Sequence, residues 1–256
     1  MTNLSYGTVF KEETWGATFS EIKSITQKEN IFICHVEIAD LEKIALELST
    51  TIMNNAWIFD LDLRSRRAYQ TTAEKTAEAL IKVFETTTTE DDKVASEFGE
   101  LMVSMGSSKA LQVVFGHRCL PIAELWKPKL AQNEGFDFHT VCTNEIINFG
   151  EAKFSGSSSP YGGNTGESSG AGGQADGFIH AKKHLMDGVH LGSLAGEKAA
   201  ENLDKDLFGV ILAFSINAVN PMLVFQNVLS NSNAYENLKL AENIYIVGVS
   251  YDSKAN

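Results

Sequence analysis

Apolar positions along the chain switch between a period of two and a period near 3.6, and each switch marks a change of element. "NIFICHVEI" reads as a strand. Asp40 then stands as an N-cap before Leu41, Ile44, Ala45, Leu48 and Ile52, which share one helix face. "AWIFDLDL" predicts a second strand. In "TTAEKTAEALIKVF", Thr71 and Glu74 form a capping box, and Ala77, Leu80, Ile81 and Phe84 line a face. The polar run "ETTTTEDD" predicts a boundary near residue 89, separating a small N-terminal α/β subdomain, residues 1–88, from a larger core, residues 89–256.

Beyond that boundary "DDKVASEFGELMVSMG" predicts a helix with a stripe of Val94, Phe98, Leu101, Met102 and Met105. "LQVVFGH" predicts a strand, and "EGFDFHTVCTNEIINFGEAKF" predicts two short strands around a turn. A Gly/Ser-rich loop, residues 155–173, follows. "QADGFIHAKKHLMDG" predicts a helix ended by Gly188. "LFGVILAFSI" and "NIYIVGVSYD" are late strands, with "MLVFQNVL" helical between them. The core thus runs helix, strand, strand, strand, helix, strand, and the fold class expected is α/β.

Composition narrows the function. The 256 residues carry a net charge of −12, which argues against unaided, tight nucleic-acid binding but not against an enzyme to which a partner delivers nucleic acid. Cys34, Cys119 and Cys142 are isolated, with no CxxC pair, so neither a zinc site nor a disulfide framework is expected. The N-terminal stretch has no basic segment before an apolar run, and "LFGVILAFSINAV" is too short for a membrane span. A cytoplasmic protein without membrane contact is expected.

The hairpin raises the chemical question, because it sets an Asp, a Glu and a Lys inside apolar runs. In "IINFGEAKF" the alternation of a strand puts Ile147, Phe149, Glu151 and Lys153 on one face, and Asp137 can approach them from the preceding strand. Asp137 and Glu151 are hard oxygen ligands, and the carbonyl of Ala152 is a third, so the group can hold Mg²⁺ or Mn²⁺ while Lys153 orients water or balances phosphate charge. The triplet alone is weak. Glu21–Lys23, Asp91–Lys93 and Asp252–Lys254 share it, and a strand Glu–Lys pair is commonly a solvated salt bridge. Only Glu151–Lys153 continues an apolar strand with an Asp on the strand before.

Asp137 followed by Glu151-Ala152-Lys153, in that element order, resembles the PD-(D/E)xK nuclease superfamily. More narrowly, "EFGELMV", "GFDFH", "FGEAKFSGSSSPY" and the "YDSK" tail resemble the HamA family, nuclease subunits of the Hachiman anti-phage defence systems; the resemblance spans about residues 90–254. It implies a restriction-endonuclease-like core, a metal-dependent DNA nuclease, and a helicase partner similar to HamB. Asp137 and Glu151 would be metal ligands and Lys153 the catalytic lysine. It also points to a helix glutamate, Glu97 or Glu100, and to a glutamine at the next helix, Gln174, although each has an ordinary reading as a helix surface residue.

Other features carry less. His139 lies on the Asp137 face and could contact phosphate, but a lone His is more often structural. His180 and His184 are four apart on a helix, yet HExxH and a third ligand are missing. The 155–173 loop lacks the phosphate-loop pattern and reads as a mobile lid or DNA-sensing loop. Two rivals stand beside the nuclease: a non-catalytic interaction subunit of the same fold, and a nucleotide enzyme using the Gly-rich segment.

Overall fold

The computed structural model describes residues 4–24, 29–90, 93–127, 135–162, 170–231 and 235–251. It opens with β1 (Leu4–Glu12), β2 (Ala17–Ser24) and β3 (Ile31–Ile38), of which only β3 was expected. Asp40 caps α1 (Leu41–Met53) by accepting from the Lys43 amide at 3.0 Å, and Ile44, Ala45, Leu48 and Ile52 are buried as their spacing requires.

The strand expected over "AWIFDLDL" does not form. Its residues make a single helical turn, α2 (Ala56–Phe59), and a bend. The cause is Asp62, whose carboxylate accepts from the Arg64 and Ser65 amides and starts α3 (Leu63–Glu85). Thr71 and Glu74 therefore lie inside α3 and form no capping box, while Ala77, Leu80 and Phe84 are buried.

Helix α4 (Ser96–Phe115) runs through the segment expected as the strand "LQVVFGH" and stops at Gly116, which is left-handed at φ 71°. A strand of two residues, β4 (Arg118–Cys119), takes the place of the longer one. A short turn, α5 (Ala123–Trp126), precedes the expected hairpin of β5 (Phe138–Val141) and β6 (Ile147–Lys153). The helix expected to end at Gly188 is two helices, α6 (Gly170–His180) and α7 (Lys183–Ala195), broken at left-handed Lys182. Gly188 lies inside α7, where an added Cβ would meet Leu203 at 2.5 Å. Then come α8 (Glu197–Leu203), β7 (Phe208–Ile216), α9 (Pro221–Asn231) and β8 (Asn243–Tyr251).

The protein is α/β, built on a mixed eight-stranded sheet in the order β1-β2-β3-β8-β7-β6-β5-β4. Strands β6, β7, β8 and β3 are parallel, and the outer pairings are antiparallel. The four parallel strands are almost wholly buried, as central parallel strands must be. Strands on both sides of the polar run near residue 89 belong to this one sheet, because β3 pairs with β8. Helix α4 covers one face; α6 and α7 cover the other over β6 and β7. Alternation along β6 shows this: Phe154 packs on Gly99 of α4, whereas Phe149 meets His184 of α7. Among the described residues no helix is long and apolar enough to cross a membrane.

Candidate active site

The hairpin brings Asp137, Glu151 and Lys153 together. Asp137 stands just ahead of β5. Its amide donates to the Gly150 carbonyl at 2.9 Å, and its carbonyl accepts from the Ala123 amide at 3.0 Å. Its Oδ2 accepts from the Ala152 amide at 2.8 Å, which ties the carboxylate to β6 between Glu151 and Lys153. Glu151 is 0% exposed. The Lys153 Nζ lies 2.7 Å from Glu151 Oε1, with its side chain 27% exposed. Lys153 is the only protein partner of the Glu151 carboxylate among the described residues, and Oε2 has none.

Two carboxylates in one buried corner disfavour each other's charge. Burial, and then the neighbouring Asp137, push Glu151 well above the usual carboxylate range, against the pull of Lys153. Burial likewise pushes Asp137 up to about 6, opposed by the Ala152 amide and Lys153 and reinforced by Glu100. Burial works against the Lys153 ammonium, but Glu151, Asp137 and Glu100 outweigh it and raise its pKa. Lys153 is therefore a held cation.

A cleft of about 280 Å³ opens beside this group. Asp137, Ala152 and Lys153 line it together with Glu97 and Glu100 of α4, and Leu80 and Val83 of α3 form part of its opposite wall. Both helix glutamates thus face the expected place. Gln174 is half-buried on α6, one turn before Phe178, whose ring packs on Phe136 at 5.4 Å. Among the described residues its amide makes no hydrogen bond to the Asp137–Glu151–Lys153 group.

Two expectations need correction. His139 does not face a phosphate. It is fully buried between Trp126 and Phe149, and burial lowers its pKa. The loop is not uniformly a mobile lid. Ser155 donates its amide to Ser215 Oγ, its own Oγ accepts from the Ser157 and Ser158 amides, and Asn217 donates to the Ser158 carbonyl. Tyr161 is buried against Phe214 and Tyr235, and residues 170–173 begin α6. Residues 163–169, and the "YDSK" tail beyond Tyr251, lie outside the described residues. His180 and His184 fall on either side of the Lys182 break, which removes their one-turn spacing.

The sequence reading missed Asp187 and Lys127. Asp187, on α7, is buried and ion-paired with Lys127 at 2.8 Å. A carboxylate in "LMDGV" was the one available signal.

Asp137 and Glu151 fit a hard divalent cation. They are oxygen donors, Asp137 half-buried and Glu151 buried, close enough that Asp137 disfavours the Glu151 charge, and Glu151 Oε2 has no protein partner to give up among the described residues. Among the described residues no cluster of three or more His, Cys, Asp or Glu side chains forms a metal-binding group, so a cation here would rest on two carboxylates and backbone or solvent oxygen. The chain matches no family model, no curated protein and no solved structure.

Proposed function

We propose that the chain is a Mg²⁺- or Mn²⁺-dependent DNA nuclease with a restriction-endonuclease-like core, the effector of an anti-phage defence complex. One observation carries this reading. A fully buried glutamate is ion-paired at 2.7 Å through Oε1 with a lysine, its Oε2 has no protein partner among the described residues, and that lysine and a second carboxylate, Asp137, line a cleft. A purely structural buried carboxylate would be expected to have its oxygens satisfied.

In this reading Asp137 and Glu151, with the carbonyl of Ala152, hold the ion. The bound ion would supply positive charge to the scissile phosphate and acidify a water molecule. Lys153, kept protonated by its acidic neighbours, donates to the attacking water or a phosphate oxygen and does not act as a base. The Ala152 amide fixes the Asp137 carboxylate. Glu100 adds negative charge to the cleft wall and helps keep Lys153 charged.

The net charge of −12 leaves DNA recruitment to a partner, and the resemblance to HamA supports a helicase resembling HamB in that role. Such a partner would also restrain a nuclease whose site is otherwise complete. The test is incubation of the purified chain with plasmid and linear DNA and Mg²⁺, alone and with its helicase neighbour. Glu151→Gln and Lys153→Ala should each lower cleavage by at least about a hundredfold, the scale of losing one positioned charge in a transition state. Full activity in either variant would sink the assignment. A wild-type chain that binds no Mn²⁺ and cuts no DNA would favour the interaction-subunit reading.

A further inference from the structure

The residue before Asp137 is held at both of its backbone groups by one buried ion pair. The Phe136 amide donates to Asp187 Oδ2 at 3.2 Å. The Phe136 carbonyl accepts from Lys127 Nζ at 3.3 Å. Lys127 in turn reaches Asp187 Oδ1 at 2.8 Å and Oδ2 at 3.0 Å. His139 Nε2 approaches the same Oδ2 at 3.5 Å, outside hydrogen-bond geometry. The clasp joins three parts of the chain: the end of α5, the middle of α7, and the entry to β5.

Gly135 belongs to the same device. A methyl group there would run into Lys127 Nζ and lie about 3 Å from both Asp187 oxygens. Its backbone is not in the left-handed region, so the requirement at this position is space for the ion pair and not an unusual conformation. The pair therefore closes directly over the Gly135–Phe136 backbone. Beyond it, among the described residues, Asp137 is fixed by its hydrogen bonds with Gly150, Ala123 and Ala152.

We propose that Asp187 and Lys127 are positioning residues that hold the Asp137 carboxylate at its place beside Glu151. The inference rests on the reading of Asp137 as a cation ligand. Outer partners of ligating carboxylates typically change metal affinity by about 10–100-fold when removed. A buried ion pair adds little net stability but is costly to break from one side, so a structural role alone also predicts a less stable variant. The readout must therefore separate position from stability.

Asp176 supplies the comparison. It accepts from the Asn237 and Leu238 amides and the Asn237 side chain, a half-buried carboxylate network on α6 whose partners lie outside the cleft and outside the Asp137 group. Asp187→Asn and Asp176→Asn are compared for melting temperature, for Mn²⁺ binding by calorimetry, and for amide hydrogen exchange. The expected result is that both lose stability, but only Asp187→Asn weakens Mn²⁺ binding, by about tenfold or more, and speeds exchange at the Phe136, Asp137 and Ala152 amides. If Asp187→Asn does not fold, Gly135→Ala, which crowds the same pair, should show the same local pattern in milder form. Unchanged exchange at the Asp137 and Ala152 amides in a folded variant would overturn the proposal. Wild-type protein without Mn²⁺ binding would instead overturn the nuclease reading, and the exchange data would still judge the clasp.

Discussion

At the scale of the residue, the chemistry turns on how much charge one buried corner holds. Asp137, Glu151 and Lys153 were legible because a charge inside an apolar strand is costly and calls for a reason. Asp187 and Lys127 were not, because they are 60 residues apart and the single local mark, a carboxylate in "LMDGV", does not say what it pairs with. The corner has a consequence for pH. Burial raises Asp137 from the usual carboxylate value to about 6. The folded chain thus binds this proton more tightly than the unfolded chain does. Its contribution to stability is complete below about pH 4 and is lost as pH rises through about 6, and Glu151 shifts in the same direction. Metal-free protein should lose roughly 2 kcal/mol across that window, after allowance for the solvent contact of Asp137. Urea titrations in EDTA at several pH values check this. Asp137→Asn should flatten the profile and Mg²⁺ should restore stability at neutral pH. An unaltered slope in Asp137→Asn would show that other groups carry the pH dependence.

At the scale of the element, the strands of the parallel core announced themselves by long apolar runs, and α1 by its cap. Helix α4 was half-read because it is buried nearly all round. Ser104, Ser107 and Ser108 are as hidden as Phe98 and Met102, so its C-terminal Val113-Val114-Phe115 looked like a strand once the stripe faded. The break in α6–α7 depends on a lysine in the left-handed region, which composition does not mark. Strands β1 and β2 were missed altogether; β1 alternates poorly, with Tyr6 and Val9 exposed. One sequence motif did have an element-scale cause. Gly99, in "EFGELMV", lets α4 close on the Phe154 ring at the end of β6, where an added Cβ would be 2.5 Å from that ring. Gly106 is in the same helix with nothing within 4 Å of its missing Cβ. Gly99→Ala should therefore cost about 1–3 kcal/mol through overpacking, while Gly106→Ala should gain about 0.5–1 kcal/mol from helix propensity. Denaturant unfolding of the pair checks this. Equal shifts would mean that propensity, not the helix–strand approach, governs both sites.

At the scale of the molecule, the order of the strands ties the two halves of the chain together. The composition shift near residue 89 suggested two units, because a polar run is the usual mark of a linker. Sheet topology is set by pairings between distant strands, and that information is not local to any stretch of sequence. Here β3 pairs in parallel with β8 along its full length, from Ile31 opposite Ile244 to Ile38 opposite Tyr251. Removing residues 1–88 would uncover β8 as an edge carrying Ile244, Ile246, Val247 and Val249, and parallel strands of that kind are stable only when covered. It would also strip α1 and α3 from the outer side of α4, and with α3 one wall of the cleft. The fragment 89–256 should accordingly be aggregation-prone, without a cooperative unfolding transition and without Mn²⁺ binding, even though it retains Asp137, Glu151 and Lys153. Expression of the fragment, followed by circular dichroism, thermal melting and calorimetry with Mn²⁺, gives the answer. A soluble fragment that melts cooperatively would show that the first three strands are an addition to an independent core, and that the pairing of β3 with β8 is not needed to build the site.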